Sequence, residues 1–403
     1  MQRYLWTQKQ DFGPAARRYH ALAYDSVRKR VVLFGGESQE SLFNDTWEWD
    51  GANWVQVADT GPGARTEHAM AFDEVNKAVL LFGGRTVEGM DRETWQWNGE
   101  DWTQLRDGGP QARCGHAMTS LSGARTILLF GGAGAETDSL ADTWQWDGNE
   151  WTEIADTGPA ARRNHSLAYD GIRNRAVLFG GSTNGVQAFN DTWEWNGHSW
   201  VQEADFGPVG RVATGLAFGG GRVLMFGGRE SADAASLPRA FGDTWEWSGT
   251  LWTQRQDIGP SRRWGHAVAY DLERRRLVLF GGALNALQGS TADYRPQSDT
   301  WEHPDNEAAL LEGPPIIKAL TLDYNQVTRT GAGLLRLSHY VPGTSVSVSL
   351  TASEAVVFAP AELVLFGQQA NFLAYVDVNL PVGSEVRITA TLSEFSKTVS
   401  IIV

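Results

Sequence analysis

Glu67, Arg18 and Arg163 are the side chains of this sequence best suited to acid–base chemistry. A carboxylate and guanidinium groups around one pocket can move a proton and hold the charge that results. Each follows, by one or two positions, an arginine that closes a recurring G-P-x-x-R run, at Arg17, Arg65, Arg113, Arg162, Arg211 and Arg263. The two positions after it read Arg18-Tyr19, Thr66-Glu67, Cys114-Gly115, Arg163-Asn164, Val212-Ala213 and Trp264-Gly265. Trp264 stands where other copies have Arg, Thr, Cys or Val, so the repeat itself does not call for an indole there. An exposed indole suits sugar stacking or a protein contact. The competing reading packs Trp264 under a neighbouring loop, Ala283–Ser298 being the nearest.

Three residues after each arginine stand His20, His68, His116, His165 and His266, with Thr214 in the remaining copy. A ring of imidazoles invites a metal reading, yet no C-x-x-C, H-x-H or H-E-x-x-H spacing accompanies it. The even spacing instead predicts a repeated hydrogen bond that stitches a strand, and no metal or other cofactor. The recurring arginines predict partners in the acids Asp45, Glu93, Asp142, Asp191, Asp243 and Asp299, a structural ring of ion pairs. No G-x-S-x-G elbow, P-loop or dinucleotide fingerprint is present.

These residues sit on a repeat of 47 to 54 residues marked by Gly-Gly pairs at 35/36, 83/84, 131/132, 180/181, 227/228 and 281/282. Of the 18 Trp, all but Trp264 fall on this grid. In the first copy His20–Tyr24, Val31–Phe34, Thr46–Trp49 and Trp54–Val57 are short β-rich runs, the last two joined by an Asp50-Gly51 hairpin signal. Four meandering strands per unit make a propeller blade. The sixth unit ends at Pro304 without its fourth strand, and the missing piece stands at the front of the chain as Trp6-Thr7-Gln8. That arrangement predicts six blades with the ring closed by the N-terminal strand, leaving no open edge. The variable positions and the loops after Gly-Gly share one face. The longest of those loops are Arg229–Gly242 and Ala283–Ser298, which bring Arg229, Tyr294 and Arg295 to that face. Diversified loops on a repeated scaffold are where binding residues sit.

The Gly-Gly pair, the strand-three aromatic and the strand-four Trp together resemble the kelch repeat over residues 1–304. The resemblance implies a six- or seven-bladed propeller. The family that the sequence resembles includes two enzymes. The copper enzyme galactose oxidase calls for a Cys–Tyr crosslink, but the one cysteine, Cys114, lies two blades from Tyr19. The sialic acid mutarotase uses acid–base residues at the mouth, which Glu67, Arg18 and Arg163 could imitate.

Residues 305–315 (DNEAALLEGPP) end the Trp grid and read as a linker. From 316 to 403 period-two runs recur at Val346/Val348/Leu350, Phe372/Ala374/Val376/Val378, Val386/Ile388/Ala390/Leu392 and Val399/Ile401/Val403, predicting an antiparallel β-sandwich. The stretch from Gly343 through Thr391 resembles bacterial Ig-like modules, which implies a spacer or assembly contact of a surface protein.

Net charge is −14 and the pI about 5.1, which leaves no electrostatic footprint for nucleic acid. No apolar run of membrane-spanning length occurs. The stretch MQRYLWTQKQ lacks the apolar core of a signal peptide. The compartment is left open, with the extracellular or cell-surface side favoured by the Ig-like resemblance. The whole predicts an all-β, non-catalytic recognition or assembly protein. Its protein or glycan partner would meet Trp264, Arg18, Tyr19, Glu67, Arg163, Asn164, Arg229, Tyr294 and Arg295. A carbohydrate-active enzyme using the mouth Glu and Arg, and a structural subunit of a larger assembly, are the alternatives.

Overall fold

Each repeat folds as its pattern dictates. In the first, Ala21–Asp25, Arg30–Phe34, Thr46–Trp49 and Trp54–Ala58 pair in order as an antiparallel sheet. Five such sheets are continuous in sequence. The sixth takes Ala267–Asp271, Arg276–Phe280 and Thr300–Pro304 from the end of the repeats and Thr7–Gln8 from the start, with Thr7 opposite Glu302 and Gln8 opposite Trp301. The computed structural model describes residues 6–9, 12–105, 108–135, 139–183, 187–231, 238–255, 259–285, 294–304, 317–325, 330–337, 346–353, 356–359, 363–365, 369–376, 381, 384–392 and 395–402. The predicted linker 305–315, like Val378 and Val403 of the alternating runs, lies outside these.

The tryptophans hold blade to blade. Each strand-four indole donates to a threonine hydroxyl of the adjacent blade: Trp54 to Thr300, Trp102 to Thr46, Trp151 to Thr94, Trp200 to Thr143 and Trp252 to Thr192, at 2.8 to 3.1 Å. Trp6 makes the sixth bond, to Thr244 at 3.2 Å, and is 6% exposed against Phe226. The N-terminal residue therefore does in blade six what a chain-internal tryptophan does elsewhere.

The Gly-Gly pairs exist because the blades approach here backbone to backbone. Gly36 donates to the Arg65 carbonyl of the next blade at 2.9 Å. Gly35 has φ 65°, and a Cβ on it would stand 2.8 Å from that same oxygen. In blades two and three the strand pair runs on through the glycines as long hairpins, Ala78–Thr86 with Gly89–Trp97 and Thr126–Gly134 with Ser139–Trp146.

The chain divides into two units, Met1–Asp305 and Asn306–Val403. The second unit contains two four-stranded antiparallel sheets. One orders Ile317–Asn325, Thr330–Leu337, Gln369–Val376 and Val356–Ala359; the other orders Leu363–Leu365, Val346–Ala352, Glu385–Leu392 and Phe395–Ile402. Alternation places Val386, Ile388 and Ala390 on one buried face.

Candidate functional site

The arginine ring is the frame of the site. Each ring arginine is at most 1% exposed. Arg17 donates to the Gly35 carbonyl at 2.9 Å and forks onto Asp45 at 2.6 and 2.8 Å. Arg113, Arg162, Arg211 and Arg263 repeat this with Asp142, Asp191, Asp243 and Asp299, whereas Arg65 makes a single bond to Glu93 at 2.8 Å and also reaches Asp91 at 3.2 Å. The same Asp45 accepts the Trp47 indole at 2.8 Å. Despite the cost of burial, the Arg17 guanidinium and this indole hold its carboxyl below the usual carboxylate range. Fully used in this way, the ring arginines belong to the scaffold.

One residue further on, the chain pairs with the position just past Gly-Gly, in isolated bridges Arg18–Glu37, Thr66–Arg85, Arg163–Ser182, Val212–Arg229 and Trp264–Ala283; Cys114 pairs likewise with Ala133. The next residue then turns left-handed in every blade: Tyr19, Glu67, Gly115, Asn164, Ala213 and Gly265 have φ between 54° and 63°. Their backbones form a closed belt around the axis. Glu67 N–H donates to Tyr19 O, Gly115 to Glu67, Asn164 to Gly115, Ala213 to Asn164, Gly265 to Ala213 and Tyr19 to Gly265, at 2.7 to 3.0 Å. The belt over-determines a conformation that a non-glycine residue adopts only at a cost of about 1–2 kcal/mol.

The histidine ring lines an axial cavity of about 110 Å³ together with the belt. The expected stitching contact runs to the adjacent blade, whose phenylalanine carbonyl lies near each imidazole and whose ring packs against it. His20 stands edge-on to Phe280, His68 to Phe34, His116 to Phe82, His165 to Phe130 and His266 to Phe226, at 5.4 to 5.5 Å. No full hydrogen bond reaches their ring nitrogens among the described residues. Burial first, then the neighbouring ring arginine, pushes His68, His165 and His266 down to about 3; the nearby phenylalanine carbonyls offset this only in part. Among the described residues no group of three His, Cys, Asp or Glu is arranged to hold a metal ion. Protein purified without added metal is expected to show no stoichiometric iron, copper or zinc by elemental analysis. A stoichiometric ion would overturn this reading of the ring.

At the mouth the structure gathers five of the singled-out residues into one cluster. Arg18 lies over the rings of Tyr294, Trp264 and Tyr19, at 3.6, 4.5 and 5.1 Å from their centres, and pairs with Glu37 at 2.6 Å. Arg229 lies over the Trp264 ring at 4.1 Å. Trp264 itself is 4% exposed, so it is no open stacking platform; it is the packed floor beneath two arginines. The loops of three blades close over it: Tyr294 donates to the Ser38 carbonyl at 3.0 Å and Asn285 to that of Pro238 at 2.7 Å. Trp264→Ala is therefore expected to cost about 3 kcal/mol of stability, read from the denaturant midpoint. A change under about 0.5 kcal/mol would contradict the packed role.

Two donors in this cluster, Trp264 Nε1 and Arg229 Nε, are buried without a hydrogen-bond partner among the described residues. Burial, then Glu67, pushes the Tyr19 hydroxyl up to about 12, so it stays a neutral phenol. In the adjacent blade Glu67 faces Arg85 at 3.9 Å, and Arg85 also reaches Glu37 at 3.6 Å. Cys114 beside it is buried, its thiol raised to about 12 by burial and then by Glu67. Asn164 belongs to the belt, Arg163 is half-buried, and Arg295 is exposed on the short hairpin Ala283–Asn285/Tyr294–Pro296.

Glu37 and Arg85 are the mouth residues that the sequence reading missed. Their signal was present: each stands directly after a Gly-Gly pair, 19 residues past the position it bridges.

The family model described as the KLHDC2/KLHL20/DRC7 Kelch-repeats domain matches residues 1–158 and 119–315. No curated protein matches the chain. A solved structure titled "Structure of YjhT" is similar at 14% identity and a TM-score of 0.58, over 72% of this chain and 95% of that one. A fungal alcohol oxidase of the AA5 family in complex with copper is similar at 10% identity and a TM-score of 0.47, over 96% of this chain and 85% of that one.

Proposed function

The chain belongs to the kelch-repeat domain family, and from that premise we propose that it is a non-catalytic recognition protein. Its loop face would bind a protein or glycan partner through an acidic group of that partner. The observation that carries this is the pair of orphan buried donors, Trp264 Nε1 and Arg229 Nε, beside the Arg18 and Arg229 guanidiniums. A buried donor without a partner costs about 1–3 kcal/mol, and an incoming carboxylate or sulfate would pair with the Arg18 and Arg229 guanidiniums and reach the donors beneath them once the Arg229 side chain shifts. The cationic edge sits on a chain of net charge −14, so it is local and would steer one end of a partner to the mouth.

The second reading, a carbohydrate-active enzyme, is supported by Glu67, whose left-handed backbone holds a carboxylate at the axial cavity. The two sheets of the second unit support its reading as an Ig-like spacer, which carries the further proposal of a cell-surface setting. Probing acidic-glycan and acidic-peptide arrays with the intact chain tests the main reading. Capture of one acidic class over its neutral analogues supports it. Turnover of a captured sugar that Glu67→Gln abolishes while binding persists would replace it with the second.

A further inference from the structure

The propeller axis opens on the opposite, tight-turn face into a funnel of about 300 Å³ that the mouth reading does not use. We propose that this funnel is a second binding site, for an amphiphile with an apolar body and an anionic head.

Its wall repeats one strand-one position: Tyr24, Phe72, Ser120, Tyr169, Phe218 and Tyr270. Five of the six are aromatic: Phe72 is buried in the seam between blades, and Tyr24, Tyr169, Phe218 and Tyr270 are partly buried against the same kind of seam while also lining the opening. The break falls in blade three, where Thr119, Ser120 and Ser122 make a polar arc. Phe218, Val268, Tyr270 and Leu272, from blades five and six, line the funnel as an apolar arc. Leu22, Met70, Phe72 and Leu167 continue the apolar wall through the other blades, so the opening is apolar around most of its circumference and polar at one arc, as an amphiphile is along its body and at its head.

Charge is placed to match the polar side. The strand-one-to-two turns carry a left-handed residue at Lys29, Lys77, Arg125, Asn174 and Arg275. Asn174 Oδ1 accepts from the Tyr169 hydroxyl at 2.9 Å, which sets this turn position on the funnel rim. Lys29 is paired with Glu273 at 2.7 Å. Lys77 and Arg125 belong to blades two and three, beside the polar arc. Arg125 donates to the Glu74 backbone carbonyl at 3.2 Å, and neither cation has a carboxylate at ion-pair distance among the described residues. Glu74 lines the same arc, so two cations stand against one carboxylate there. A single carboxylate or sulfonate head between Lys77 and Arg125, with its body against Phe218 and Tyr270, uses both parts of the funnel.

The test uses two probes that share a body, the anionic 8-anilinonaphthalene-1-sulfonate and the neutral N-phenyl-1-naphthylamine, titrated into the intact chain. Ser122 and Ser26 are exposed rim positions, so Ser122→Trp and Ser26→Trp narrow the funnel without entering the core. Each is expected to weaken saturable sulfonate binding by roughly tenfold, about 1.4 kcal/mol, with an unchanged melting curve. Lys77→Gln combined with Arg125→Gln should weaken the sulfonate probe by a similar factor and leave the neutral probe within about twofold. Absence of saturable sulfonate binding, or binding that survives both tryptophan variants, would overturn the site. An equal loss of both probes in the glutamine variant would overturn the anionic head.

Discussion

Removal of residues 1–9 is expected to lower the propeller's melting temperature by roughly 6 °C. Trp6 is a buried indole that bonds Thr244 and packs on Phe226, and loss of such a side chain costs about 3–5 kcal/mol. The deletion also strips Thr7 and Gln8 from Thr300–Pro304, leaving a strand edge open to pair with another chain. Scanning calorimetry should show the lower midpoint, and light scattering should show association on warming. A superimposable melting curve would mean that the ring is not closed by this strand.

Acid is expected to unfold the protein well before its carboxylates titrate. His68, His165 and His266 have folded pKa values near 3, against 6.5 in an unfolded chain. Between those values the unfolded state takes up a proton at each site and the native state does not, so stability falls as pH falls. The slope is about 1.4 kcal/mol per pH unit for each histidine. Three of them remove about 5 kcal/mol between pH 6.5 and 5, comparable to the whole stability of an ordinary domain. Asp45, Asp142, Asp191, Asp243 and Asp299 have lowered pKa values, so their loss adds only at still lower pH. Urea midpoints from pH 8 to 4 measure this directly, and His165→Gln should reduce the slope by one proton. A midpoint flat from pH 7 to 5 would contradict neutral burial of the ring.

The propeller was legible in the sequence because its determinants are local and repeated. Gly-Gly pairs, turn residues and strand-four indoles each act within one blade or between neighbours, so six copies restate one rule. Closure by Trp6-Thr7-Gln8 followed from a missing strand. The partner of each histidine was not legible because a position in a repeat fixes a residue's place and not what it touches; the edge-on phenylalanine belongs to the adjacent blade. Trp264 was equally open, since nothing in sequence says whether Tyr294 and Tyr19 fold over it. Glu37 and Arg85 escaped notice because their importance comes from a bridge between two variable positions, each unremarked alone. The tight-turn funnel was invisible for the same reason: Tyr24 and Tyr270 read as ordinary strand residues until the ring puts them around one axis.

Recognition of an acidic partner by the Arg229–Trp264–Arg18 edge, as proposed above, can be measured on the mouth itself. Isothermal titration of the acidic glycan or peptide captured by the intact chain, wild type against Arg229→Ala, tests it most directly. Arg229 is half-buried at the mouth and makes no ion pair among the described residues, so its removal should leave the melting curve in place. Arg229→Ala should bind at least roughly tenfold more weakly, and the wild-type affinity should fall as salt is raised. Equal affinity for the two proteins, both folded and both insensitive to salt, would contradict it.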